Sequence, residues 1–111
     1  MQRQCTIAIL WMCLLPQVNA QVNFARDVQP ILKEHCIECH GASQQMRGLR
    51  LDRRSDAIPN RVGANRASIV PGNSAGSPVY LGLTGKQTGL RMPPAGPLNP
   101  ELINIVKTWI D

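Results

Sequence analysis

Two histidines and four cysteines are all that this chain of 111 residues contains, and aromatic side chains are as sparse: one Phe, one Tyr and two Trp. Long apolar runs are missing too. The best of them, Ile7 to Leu15, is nine residues, against the ~20 that a membrane-spanning helix needs. A stable membrane span is therefore not expected. Acidic residues are few, seven against twelve Lys and Arg, for a net charge of +5. A basic balance suits nucleic acid, but no stretch interleaves aromatic with basic residues, so that partner is not expected either. There is no internal repeat and no low-complexity tract. A domain of this size buries a modest core and often needs a disulfide, a metal or a partner to complete it.

What is present is concentrated. Residues 1–20 carry Arg3, then the apolar run, then "PQVNA", ending with Val18 and Ala20 in the small-residue pattern of a signal-peptidase site. This reads as a secretory signal peptide, with residues 21–111 as the working domain. A permanent anchor fits less well. So does lipidation at Cys13, where Trp11 and Met12 stand in place of small residues. Loss of residues 1–20 removes Cys5 and Cys13. The remaining Cys36 and Cys39 then lie with both histidines in "HCIECHG", residues 35–41.

Cys36-Ile37-Glu38-Cys39-His40 has the C-x-x-C-H spacing of a covalent haem attachment site. Two thiols three positions apart on a helical turn can add to the two vinyl groups along one edge of a porphyrin. The next residue, His40, then brings an imidazole beneath the iron. Gly41 follows, where the chain can turn away. Other readings are weaker. A zinc site made of His35, Cys36, Cys39 and His40 would need four ligands within six residues to close a tetrahedron. A thioredoxin-like exchanger would want a preceding strand and a βαβ context. A lone Cys36–Cys39 disulfide closes too short a loop to staple a fold.

The sixth position of such an iron has four candidates: Met92, Met46, His35 and the lysines. His35 adjoins the attachment edge. Met46 follows His40 by only six residues. Met92 lies 52 residues downstream, before Pro93 and Pro94, in a loop rigid enough to hold a weak thioether ligand. Met92 is the preferred ligand.

Two helices are legible. One covers about Asn23 to His35, capped by Asn23, with Phe24, Val28, Ile31, Leu32 and His35 on one face. Pro30 must kink it or mark a fresh start. The other has Asn99 as N-cap, Pro100 in first position and a stripe from Leu102 to Ile110. A short helix from Pro78 to about Leu83, with Ser77 as its cap, lies between them. Residues 49–52 read as extended, residues 55–58 as a helical turn capped by Ser55, and "SIVPGN" as an extended run into a turn. Leu32, Ile105, Val106 and Trp109 are the expected apolar wall of a cofactor pocket. Of the six arginines between Arg47 and Arg66, one or two are expected to meet cofactor carboxylates or an acidic partner.

The runs "VNFARDVQPILKEHCIECHG", "GLRLD", "SIVPGNSAGSPVY" and "RMPPAGPLNPELINIVKTWID" resemble the planctomycete-type cytochrome c domain, a relative of small class I cytochromes c, over Val22 to Asp111. The resemblance implies a mostly α, cytochrome c-like fold around one covalent haem c, with long loops between the N- and C-terminal helices. It implies His40 and Met92 as the iron ligands. Domains of this kind are often fused to larger modules, so the chain is a free-standing carrier or a fragment of a larger protein. The function expected is that of a periplasmic or otherwise extracytoplasmic mono-haem electron carrier, not an enzyme, exchanging electrons with a redox protein of acidic surface. A haem enzyme or sensor with an open sixth site, and a haem-stapled docking module, are the alternatives.

Overall fold

In the computed structural model, residues 20–58, 67–87 and 91–111 are described. The signal segment expected at residues 1–20, Ala20 excepted, lies outside them. Asn23 opens the first helical segment as expected: its side chain accepts from the Arg26 amide at 3.0 Å, and Asp27 accepts from the Asn23 amide at 2.8 Å. The two contacts satisfy amides that a helix start leaves unpaired. Arg26 closes over Asp27 at 2.7 Å, which holds that carboxyl down at about 2.

Pro30 decides how the segment winds. Phe24–Val28 is a π-type turn, and a regular α-helix, α1, starts only at Gln29 and ends at His35. Proline lacks an amide and its ring crowds the carbonyl four residues back. A wider turn ahead of it, with Pro30 inside the first turn of α1, relieves both problems. The proline is thus a fresh start within one continuous segment.

Helix α2 is one short turn, Arg54–Ala57, with Arg53 in the N-cap position and no side-chain cap. Ser55, expected to cap it, lies inside the helix instead. Arg50 grips Asp52 through two bonds of 2.6 and 2.9 Å, and Arg53 reaches Asp56 at 3.2 Å. Helix α3, Pro78–Thr84, stops at Gly85, whose φ of 69° is costly for a residue with a side chain. Ser77 stands at its N-cap by position but caps nothing. Its hydroxyl turns back, accepting from the Val70 amide at 2.8 Å and donating to the Asn73 carbonyl at 2.8 Å. Fully buried, it ties the "SIVPGN" turn together, since a buried hydroxyl must find partners.

Helix α4, Pro100–Ile110, begins as expected, with the Asn99 side chain accepting from Glu101 at 2.8 Å. Its end is tied to the turn before α3. The Ile110 carbonyl accepts from Gly72 at 2.7 Å, and Asp111 accepts from the amide and hydroxyl of Ser74 at 2.8 and 3.0 Å. Among the described residues there is no strand, only a bridge between His40 and Gln45. The core joins Val28, Ile31 and Leu32 to Val106 and Ile110, with Leu51, Ala57, Ile69, Leu83 and Leu98. Phe24 and Trp109 pack at the edge, their ring centroids 5.1 Å apart. The chain is mostly helical, as expected, and its first and last helical segments are packed together.

Candidate cofactor site

The cysteine motif continues α1 by one more turn. Cys36 and Ile37 both donate to the Leu32 carbonyl, at 2.9 and 3.0 Å, and Cys39 and His40 both donate to Cys36, at 3.2 and 2.9 Å. The chain then doubles back. Gly41 donates to Gln44, Met46 to Cys39 and Leu51 to His40, at 2.8, 2.9 and 2.8 Å. His40 is therefore held through its backbone from both sides. Gly41 is required by space: a Cβ there would collide with the Ile37 carbonyl oxygen and come within 2.7 Å of its Cγ2.

Two adjoining cavities open beside this turn, of about 170 and 270 Å³. Cys36, His40, Arg47, Leu83 and Met92 line both. Leu49, Leu51 and Val79 complete the walls of the smaller, while Cys39, Met46, Pro93 and Pro94 line the larger. His40 is only 9% exposed, and its Nδ1 is buried with no hydrogen-bond partner among the described residues. A buried ring nitrogen without a partner is costly and marks a group kept for another use.

Met92 approaches from the opposite end of the domain sequence. Its amide donates to the Gly82 carbonyl at 3.0 Å, which pins the proline loop to α3 and lays the side chain beside Gly82. The other candidates fare differently. Met46 and His35 line only the larger cavity, and Met46 is 49% exposed. No lysine lines either cavity.

Residues 36–96 match the family described as Planctomycete cytochrome C. The chain belongs to the Planctomycete cytochrome C family. Searches of curated proteins and of solved structures return no match. Membership implies covalently bound haem c.

The residues of this family member fit such a group. Both thiols of the motif are unbonded, the cavities are walled mainly by apolar side chains, and an unpartnered imidazole and a thioether line the same space. Burial pushes the Cys36 thiol up to about 11. That is the reverse of the lowered thiol on which a disulfide exchanger depends. The zinc reading fails on geometry. Among the described residues no three His, Cys, Asp or Glu side chains gather as a metal site.

The walls differ from the expected ones. Leu32 and Val106, 4% and 2% exposed, belong to the buried core, Ile105 packs against that core and Trp109 packs on Phe24, and none of the four lines either cavity. Leu49, Leu51, Val79 and Leu83 stand in their place. Helical periodicity finds a buried face but not what that face meets. The alternation of Leu49 and Leu51 around Arg50 was the available signal, because period two puts both leucines on one side. Among the described residues, no helix is long and apolar enough to cross a membrane.

Proposed function

We propose that this chain is an exported mono-haem c-type cytochrome that carries single electrons, with haem fastened by Cys36 and Cys39 and its iron held between His40 and Met92. The observation behind this reading is that His40 and Met92 line the same two cavities as Cys36, although 52 residues separate them in the chain. When bound, haem supplies a one-electron ferric/ferrous couple. The remaining work belongs to the chain. Cys36 and Cys39 would hold the haem by thioether bonds, each sulfur on one carbon of a vinyl group and the thiol hydrogen on the other, so that no oxidant would be needed. His40 gives an imidazole nitrogen to the iron and Met92 its sulfur. With His40 and Met92 both holding the iron, a substrate would find no open place on it, which favours electron transfer over catalysis. A thioether ligand and an apolar wall of Leu49, Leu51, Val79 and Leu83 both raise the reduction potential.

Residues 1–20 act as the signal peptide and place the domain outside the cytoplasm, where c-type attachment occurs. The basic balance of the chain suits a redox partner with an acidic docking face. The test is the intact mass and absorption spectrum of the protein matured with the c-type attachment machinery. One haem added, no titratable thiol in the domain and a low-spin spectrum with the ferric Met–iron charge-transfer band are expected. A bare polypeptide would refute the proposal, and a high-spin spectrum would replace the carrier with an open-site enzyme or sensor.

A further inference from the structure

Among the described residues, Arg47 is the one charged side chain of fixed sign that lines the cleft. It borders both cavities, and no other described Lys or Arg, and no described Asp or Glu, lines either. Its backbone is also unusual. With φ 56° and ψ 21°, it is the only described non-glycine residue in the left-handed region. Side chains other than Asn and Asp enter that region at a cost, and such residues persist where the surroundings hold them. Here the hold is visible: Met46 donates to Cys39 at 2.9 Å, Gly48 to Gln45 at 2.9 Å and Leu49 to Met46 at 3.2 Å. The turn is thus bound to the cysteine motif itself, with Arg47 at its apex.

Of the neighbouring described arginines, Arg50 and Arg53 are already used and Arg54 lines neither cavity. Arg50 is paired with Asp52 and Arg53 with Asp56, while Arg47 has no ion pair among the described residues. Arg47 is exposed, and its guanidinium, without an ion pair among the described residues, is open to an anion in the cleft that it lines. Resting on the function proposed above, we infer that Arg47 is the residue that receives a propionate carboxylate of the haem. That group is the cofactor's own anion, and a planar guanidinium fork matches a carboxylate. Ser68 and Gln87, which line the smaller cavity, add neutral hydrogen-bonding groups on that side.

The assignment is tested on haem-loaded wild type, Arg47→Gln, Arg47→Gly and Arg47→Lys, by titrating the midpoint potential between about pH 5 and about pH 9, a window that brackets histidine and a raised carboxylic acid. With haem loaded, Cys36 and Cys39 are thioethers and His40 an iron ligand in the function proposed above, which leaves His35 as the other described titratable side chain lining the cleft. Loss of the Arg47 charge acts on His35 too, so wild type and Arg47→Gln are also compared with His35→Gln added; a difference that disappears there belongs to His35 and overturns the assignment. Loss of the cation leaves the propionate charge uncompensated, which favours the ferric state. Arg47→Gln and Arg47→Gly should both show a lower potential at neutral pH. Their pH-dependent fall should move upward by roughly one to three pH units, the usual effect of removing an adjacent opposite charge. Arg47→Lys should follow the wild type. Glycine also relieves the left-handed backbone, so a purely structural role predicts an unchanged profile and a stability at least equal to wild type. Curves for Gln and Gly that superimpose on wild type, with haem attached in every protein, would overturn the Arg47 assignment alone. A wild-type chain that gains no haem mass would overturn it together with the function on which it rests.

Discussion

Substituting Gly41 by alanine probes the turn on which the site is built. The added carbon would lie 2.7 Å from Ile37 Cγ2 and closer still to the Ile37 carbonyl oxygen. Ordinary contact needs ~3.5–4 Å between carbons, so about 1 Å must be found. The methyl can rotate away, but the carbonyl is part of the backbone leading to Cys39 and His40. Relief therefore has to come from residues 37–41. Overpacking of this kind costs about 1–3 kcal/mol. With a urea slope of about 1–3 kcal/mol per molar for a small domain, the midpoint should fall by roughly 1 M. The assay is urea unfolding of the haem-loaded protein, followed by the visible spectrum and far-UV circular dichroism together. Because His40 is the next residue, the visible spectrum of Gly41→Ala should also be perturbed under native conditions. Ile37→Ala combined with Gly41→Ala should recover little, since the carbonyl remains in place. An unchanged midpoint for the single variant, or full recovery in the double, would refute the steric argument.

Three other outcomes are expected. Met92→Ala should lower the midpoint potential and open the iron to carbon monoxide while the attached haem mass is retained; an unchanged spectrum would move the ligand to Met46. Leu32→Ala, at a 4% exposed core position, should destabilise the domain by about 2–5 kcal/mol without altering the haem spectrum at low denaturant, as read by the same urea titration. Lys107 and then Ser74 hold the Asp111 carboxyl down from its ordinary 3.8 to about 2. A lowered carboxylate stabilises the fold above its unfolded pKa and loses that contribution as pH falls through the folded one. The stability difference between wild type and Asp111→Asn should therefore be steady at neutral pH and shrink progressively as pH drops from about 5 to about 1; a difference at about pH 1 as large as at neutral pH would contradict the pairing.

The local grammar of the chain is a good guide to its ends and a poor one to its middle. Asn23 and Asn99 cap as their positions suggest, and Pro100 starts a helix, because caps and first turns are settled by residues two to four apart. Ser77 shows the limit. It occupies the expected N-cap position, but its hydroxyl serves Val70 and Asn73, since the fold buries it where those groups are the partners to be satisfied. Pro30 announces a disturbance, and the packing of the first segment on α4 resolves it as a π turn instead of a break.

By sequence alone, the spacing of Cys36, Cys39 and His40 pointed to the attachment chemistry proposed here, because that spacing lies within a single turn of backbone. The order of Met92, Pro93 and Pro94 likewise marked a braced thioether far down the chain. Only the tertiary structure decided which space these groups share, which leucines wall it and which arginine borders it. Those contacts join residues 36–51 to residues 68–92, a separation over which no periodicity carries information. The terminal helices spend their apolar faces on each other, and the segments between them are left to enclose the cleft.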